Sequence, residues 1–327
     1  MDKPIVSVVI LTWNSAQVIG QCVDHVLAQE YENVEVIIVD NGSSDGALNM
    51  LKERYPEFRY IDNNCNTGFA KGMNQGIEVA NGSYLLLLNA DAFIQQDFIA
   101  SAIEAIETDQ SIGSIAGRVH SWVDGRKTNL PQGGHNGGVM LRKRMQGTNN
   151  KNDKEPSYVF GPSGPCSFIR RIALDDVKQA STEYFDETYF AHGEDIDLWY
   201  RMQLRGWKCL FTPRVLAWHV GSAASEGNIS LIKKPLWLQR HRLKNRYLTI
   251  IKDTPLALLW RLSPYLFVTE AAMWPFFLCR APRTLVALLG AWLDVIRLLP
   301  LNIRKRRLIQ NSRCVQSSYL QSFFVEF

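Results

Sequence analysis

The run Ser83-Tyr-Leu-Leu-Leu-Leu-Asn-Ala-Asp91 is the tightest constraint in the chain. Four consecutive leucines put apolar side chains on both faces of an extended segment, so this strand has to be buried on both sides. Strands of that kind belong to mostly parallel sheets with helices over each face. The surrounding sequence fits. β-rich stretches fall at 5–11, 34–40, 58–62 and 84–88, with a fifth at 114–119, and between them 16–29, 45–55, 68–80 and 97–108 are long enough for helices. The expectation is an α/β fold with a Rossmann-like, mostly parallel central sheet flanked by helices. In such sheets ligands bind outside the carboxyl ends of the strands, so the residues that follow each strand are the ones to search.

Composition divides the chain. With 327 residues, 46% of them apolar and 21% charged, it can fill a core and is neither disordered nor fibrous. Its formal charge of +4 conceals −8 over residues 1–232 and +12 over 233–327. We therefore expect a sheet domain at 1–232 and a basic, apolar helical region at 233–327. The six cysteines form no CxxC pair, and MDKPIVSVVILTWN has too short an apolar run for a signal peptide, which points to a reducing, cytoplasmic setting. Residues 120–157 are polar and rich in Gly, Asn and Lys, and read as a mobile loop or lid. Order is expected to return at 158–169, with a helix at 193–206 and short strands at 208–211 and 215–219.

Several strand ends carry polar residues suited to a ligand. Thr12 and Asn14 follow the first strand and Asp40 and Asn41 the second, where they either hydrogen-bond a base or ribose or form turns and caps. The Gly-rich entry Asn66-Thr-Gly68-Phe-Ala-Lys-Gly-Met-Asn74 either admits a phosphate to a helix N-terminus or lets a helix pack closely on the sheet. It matches neither a Walker motif nor GxGxxG at the first turn. After the leucines come Asn89 and Asp91. Asp91 is placed to hold a hard divalent ion against two phosphates, or else to make an Asx-turn. In HGEDIDLWYR, Glu194 and Asp195 open a helix, where acidic residues complement the helix dipole or, in the case of an ionised Asp, act as a general base. His219 ends an apolar strand, either as a structural histidine or as a metal ligand.

Taken in order, LTWN, VDNGSSDG, NTGFAKGMNQG, LLLLNAD, HGEDIDLWYR and WHVGS resemble the inverting family-2 glycosyltransferases of the GT-A fold, in particular the bacterial rhamnosyltransferase-like branch that builds surface polysaccharides. The resemblance runs over about residues 4–250. It implies that Thr12, Asn14 and Asp40, with neighbouring Asn41, contact the nucleoside, and that Asn66, Gly68 and Asn74 lie near the diphosphate or sugar. It implies Asp91 and His219 as ligands of a divalent cation, Mg²⁺ or Mn²⁺, with Asp195 as catalytic base and Glu194 orienting acceptor or base. Asn89 stands where a strict DxD motif has its first aspartate. The implied reaction is a single displacement with inversion. An Asp with an ordinary pKa of about 3.9 is ionised at neutral pH and takes the acceptor's proton late in the transition state.

The tail carries two long apolar stretches within 255–301, followed by NIRKRR. Arg261, Pro264, Glu270 and Pro275 interrupt the first and Asp294 and Arg297 the second, so interfacial helices fit better than clean spans. Trp260, Trp274 and Trp292 beside basic residues suit the headgroup region of an anionic membrane. The other reading of the tail is a helical subdomain or a dimer interface that would make the protein a homo-oligomer. Nucleic acid is a poor partner, since the basic residues flank aliphatic runs and no nucleic-acid motif is present. The expected partners are a nucleotide-diphosphate sugar, a lipid-linked glycan acceptor and the inner face of the cell membrane. The competing functions are a non-catalytic nucleotide-sugar-binding or scaffold subunit, and a sugar nucleotidyltransferase.

Overall fold

The computed structural model describes residues 3–123, 125–131, 138–150, 154–221 and 231–325. Its first half follows the expected alternation: β1 (Val6–Thr12), α1 (Ile19–Leu27), β2 (Val34–Asp40), α2 (Ala47–Arg54), β3 (Arg59–Asp62), α3 (Phe69–Val79), β4 (Tyr84–Asn89), β5 (Ala92–Ile94), α4 (Phe98–Ile106) and β6 (Ile112–Val123). Strands β3, β2, β1 and β4 lie side by side and parallel. The leucine run is buried on both faces, as its composition requires. Leu86 and Leu88 join Val8 and Ile10 in the core beneath α1, α2 and α4, whereas Leu85 and Leu87 join Val9, Val39 and Met73 beneath α3. Helix α3 comes close enough to the sheet that a Cβ on Gly76 would lie 2.3 Å from the Val9 side chain. Close packing is thus one of the uses of this Gly-rich segment.

Beyond β4 the sheet is more mixed than the sequence implies. It continues through β7 (Arg126–Pro131), β10 (Ser157–Val159), β11 (Cys166–Arg170) and β12 (Lys208–His219), while β8 (Val139–Arg142) and β9 (Gln146–Asn149) form a separate hairpin. Strand β11 runs antiparallel between β4 and β6, and β12 lies parallel to β6. The two short strands expected near 208–219 are one twelve-residue strand whose register shifts between Phe211 and Leu216, around Pro213, which has no N–H to give the ladder. Nor are the described parts of 120–157 a loop. Gly125, at φ 73°, makes the β6–β7 turn, and buried Val139 and Leu141 anchor β8 through bridges to Gly161 and Phe324. The remaining positions of that expected lid, 124, 132–137 and 151–153, lie outside the described residues.

Helices α5 (Arg171–Asp176) and α6 (Glu194–Leu204) precede β12, and the chain ends in α7 (Leu236–Asp253), α8 (Leu256–Arg280), α9 (Pro282–Asn311) and α10 (Ser317–Gln321). The two regions expected from charge, 1–232 and 233–327, interlock through buried ions. Lys252 of α7 is fully buried and ion-paired to Asp186 and Asp197. Arg201 holds Asp197 at 2.8 Å, and Lys305 of α9 reaches Asp186 at 2.9 Å and Glu183 at 2.6 Å. Burial alone would drive Lys252 towards neutrality, but Asp186 and Asp197 hold it charged. Burial, reinforced by Asp197, pushes the Asp253 carboxyl towards the neutral form. Three carboxylates then face three cations.

Helices α8 and α9, of 25 and 30 residues, are long and apolar enough by length and composition to cross a membrane. Much of α8 is bare, with Trp260 81% and Phe267 74% exposed. The far half of α9 is not, since Asn302, Lys305 and Ile309 are buried against the sheet domain and α7.

The ion cluster generates the first prediction. Lys252→Met would leave Asp186 and Asp197 buried without their shared cation, at a cost of about 3–5 kcal/mol. Urea unfolding at neutral pH measures it, and a loss under about 1 kcal/mol would mean that the cluster contributes little to holding the two regions together.

Candidate active site

The carboxyl ends of β1 and β2 meet in register at Thr12 and Asp40, both 1% exposed. Among the described residues Thr12 Oγ1 and one Asp40 oxygen have no hydrogen-bond partner, while the other Asp40 oxygen accepts from Ser43 N at 2.9 Å. Buried polar atoms are normally satisfied, so this pair is open to a ligand with matching donors and acceptors. The flanking loops are cross-braced. Asn14, at φ 51°, accepts from Ser44 N at 2.8 Å and its own N–H donates to Ser43 Oγ at 2.9 Å. Between Thr12 and Asn14, Trp13 stands 51% exposed, an aromatic face beside the unpaired atoms that the search for polar residues passed over.

Residues expected at the diphosphate divide into two groups. Asn66 and Gly68 sit at the entry to α3, with Asn66 Oδ1 accepting from Gly68 N at 2.9 Å. Gly68 has φ 88°, and a Cβ there would lie 2.5 Å from the Phe190 ring, so only glycine fits. Asn74, and Asn41 from the nucleoside set, hydrogen-bond within the protein. Asn41 accepts from Thr67 and Asn63 and donates to Asn66 and Gly68, which leaves its amide wholly inside the loop. Asn74 is buried one helical turn deeper and exchanges hydrogen bonds with the Phe185 backbone, accepting at 2.8 Å and donating at 2.9 Å. Both amides brace the site from within.

At the end of β4, Asn89 and Asp91 flank the start of β5. Strand β12 returns antiparallel to β5 and pairs His219 with Ala92, which brings His219 Nε2 to 3.0 Å from Asp91. The second Asp91 oxygen accepts from Gly221 N at 3.2 Å, and His219 Nδ1 is buried without a partner among the described residues. These residues are separated by 128 positions in the sequence and meet only because β12 ends beside β5. A carboxylate oxygen and an imidazole nitrogen suit a divalent cation that takes its other ligands from a bound diphosphate and water. No group of three or more His, Cys, Asp or Glu placed to hold a metal occurs among the described residues.

Asp195 approaches the same edge from the opposite face. The loop before β11 ties them together: Asn89 N donates to Pro165 O at 2.9 Å, and a Cβ on Gly164 would lie 3.4 Å from Asp195 Oδ2. Its neighbour Glu194 is buried, with one oxygen unpartnered, and burial, then the Asp195 charge, raise its carboxyl well above the usual range. The approach to α6 is strained, with Phe190 at φ 63°, His192 at φ 66° and Gly193 at φ 92°. Asn245 of α7 holds this turn by donating to the carbonyls of Tyr189, Ala191 and His192 at 2.6–3.0 Å. Asn245 and Phe190 were not among the residues expected at the site. The signal for Asn245 was a polar stripe at 245, 249 and 252 on a helix otherwise read as part of the tail, and Phe190 had none.

The family model described as Glycosyl transferase family 2 matches residues 7–178. Among curated proteins, poly-β-1,6-N-acetyl-D-glucosamine synthase of Staphylococcus aureus (strain COL) is 27% identical over 237 residues, 70% of this chain and 51% of that protein. The Staphylococcus epidermidis synthase is 25% identical over 243 residues, covering 72% and 53%. The chain therefore spans about half the length of these relatives. Among solved structures, GalNAc-T7 with UDP, GalNAc and Mn²⁺ superposes with a TM-score of 0.64 at 18% identity, over 82% of this chain and 50% of that one. The mannosyltransferase PcManGT from Pyrobaculum calidifontis, in complex with GDP-Man and Mn²⁺, gives 0.55 at 17% identity over 98% and 86%. Staphylococcus aureus TarS gives 0.56 at 17% identity over 94% and 55%. These likenesses are of fold, the GT-A fold that the motif series implied.

The position of Glu194 makes stability depend on pH in a definite direction. Its carboxyl is raised in the folded chain above the ordinary 4.5, so the stability it contributes is complete below that value and declines as pH rises towards the folded pKa. Glu194→Gln removes that decline. The variant should melt within about 1 °C of the parent near pH 5 and several degrees above it near pH 8.5, by scanning calorimetry. Parallel curves for the two proteins would contradict the burial of an ionisable carboxyl.

Proposed function

The chain belongs to glycosyl transferase family 2, and from that premise we propose that it transfers a sugar from a nucleotide-diphosphate donor to a lipid-linked glycan acceptor in polysaccharide synthesis. The contact of Asp91 with His219 at the carboxyl edge of the sheet carries the reading, because a carboxylate and an imidazole together suit a cation, on the edge where Thr12 and Asp40 have atoms without a partner among the described residues. In this scheme Thr12 and Asp40 receive the nucleoside, with Asn14 fixing their loop and Trp13 offering a stacking face. Asn66 and Gly68 shape the approach to the diphosphate, while Asn41 and Asn74 hold that approach rigid. Asn89 sets the loop that separates Asp91 from Asp195.

Asp91 and His219 would hold Mg²⁺ or Mn²⁺ together with the donor, and the ion supplies neutralisation of charge on the leaving diphosphate. Asp195 accepts the proton of the acceptor hydroxyl as that oxygen attacks the anomeric carbon, and a single displacement of this kind inverts configuration. Glu194, kept neutral by burial, adds no second negative charge beside the base. The bacterial branch that the motifs resemble favours rhamnose as the sugar. The polysaccharide assignment is supported by the synthases of the two staphylococci. The exposed apolar faces of α8 and α9, with basic residues beside them, support association with the cytoplasmic leaflet.

Two experiments test this function. With a panel of nucleotide sugars and purified protein, Asp195→Asn should lower transfer or donor hydrolysis by at least about 10³-fold while nucleotide-diphosphate binding persists, and Asp91→Ala should weaken that binding only when Mn²⁺ is present. Transfer that survives Asp195→Asn removes it as the base. On vesicles containing phosphatidylglycerol, flotation of the double variant Trp260→Glu, Phe267→Glu should fall several-fold with the melting temperature unchanged. Equal flotation would remove α8 from the membrane contact.

A further inference from the structure

Helices α7 and α9 line an open-sided cavity of about 570 Å³, and its His241 lies against Phe190. That volume is in the range of small-ligand sites. One wall is apolar, formed by Leu236, Trp237, Val286 and Leu298, and the other is cationic. Arg240 is held by two hydrogen bonds to Asp294, at 2.7 and 2.6 Å. Lys244 is buried and donates to the Thr188 carbonyl, with no ion pair among the described residues. Arg297 also lines the cavity and likewise has no ion pair among them. Three cations therefore face one carboxylate. Burial lowers the Lys244 ammonium to about 8, a cost that a bound anion would relieve. His241 Nδ1 is buried without a partner on the same side.

The cavity connects in two directions. Inward, the His241 ring stacks on Phe190 at 5.1 Å and 20°, and Phe190 is the residue that covers Gly68. The Lys244 bond to Thr188 and the Asn245 bonds to the following carbonyls tie the same wall to the turn that delivers Glu194 and Asp195. Outward, Val286 belongs to an exposed apolar stripe that continues through Leu289, Leu293 and Ile296 along α9. A ligand that satisfies both walls has a multiply charged anionic head and an aliphatic chain that leaves along the stripe.

Resting on the glycosyltransferase reading above, we propose that this cavity seats the diphosphate and first isoprenoid units of a prenyl-diphosphate-linked acceptor. Arg240, Lys244 and Arg297 take the phosphates, Trp237 and Leu298 the first carbons, and the lipid leaves over α9. The acceptor glycan then extends past Phe190 towards Asp195. Charge complementarity selects the anionic head, and continuity with the bare face of α9 selects a lipid over a soluble phosphate.

Equilibrium dialysis of the full chain against radiolabelled farnesyl diphosphate tests this. Saturable binding of one molecule per chain is expected, with inorganic pyrophosphate competing only at concentrations at least about tenfold higher. Arg297→Gln and Trp237→Ala, each checked for an unchanged melting temperature, should weaken binding about fivefold. Arg307→Gln, on the exposed far end of α9, should not. The proposal is overturned by absence of saturable binding, by pyrophosphate or phosphatidylglycerol vesicles competing as well as farnesyl diphosphate, or by Arg307→Gln weakening binding as much as Arg297→Gln. Hydrolysis of nucleotide sugars by the same preparation separates the two levels. Donor hydrolysis without prenyl-diphosphate binding sinks the acceptor site alone, whereas no hydrolysis of any nucleotide sugar counts against the glycosyltransferase reading itself.

Discussion

Lys252 of α7 sits where no water reaches, against one carboxylate from the segment before α6 and another from α6 itself. Neither Asp186 nor Asp197 is tolerable there without a cation, and Lys252 is tolerable only because of them. The pairing therefore does more than attach a helix. It sets the position of α6, whose first two residues are Glu194 and Asp195, and it holds α7 where Asn245 can support the strained turn that precedes them. Lys305 extends the same cluster to α9. The candidate site thus takes its shape from helices at the far end of the chain as much as from the sheet.

The sheet supplies the other half of the site by a simpler rule. Parallel strands buried on both faces end together, so Thr12, Asp40 and Asp91 arrive at one edge regardless of what their side chains do. The antiparallel return of β12 then places His219 on Asp91. Glycine at 68 lets Phe190 press against the entry of α3, which joins this edge to the α6 turn.

The parallel core was legible because its signal is local: leucines on both faces of β4, alternating helices, polar residues after each strand. Thr12, Asp40 and Asp91 were candidates on that basis, and Asp195 was one because it lies in the acidic first turn of a helix. The internal partners of Asn41 and Asn74 were not legible, because an amide that braces a loop and one that binds a sugar look alike in sequence, and Phe185 lies 111 residues from Asn74. The hairpins within 120–157 were hidden by their polar composition, since buried Val139 and Leu141 are too few to give a period. The role of α7 was hidden by charge. Lys244 and Lys252 count as basic residues of a tail, yet both are buried, Lys252 against acidic partners contributed by earlier segments and Lys244 against the Thr188 carbonyl.

Helix α9 has two different ends. Its first half is bare and apolar, its second half is locked to α7 through Asn302 and to the sheet domain through Lys305, and at about 1.5 Å per residue it runs some 45 Å, with Pro300 inside it where the bare half gives way to the locked one. A protein that rested on lipid through the bare half would carry its footing and its cleft on one helix, with Pro300 as the place where the two could tilt against each other.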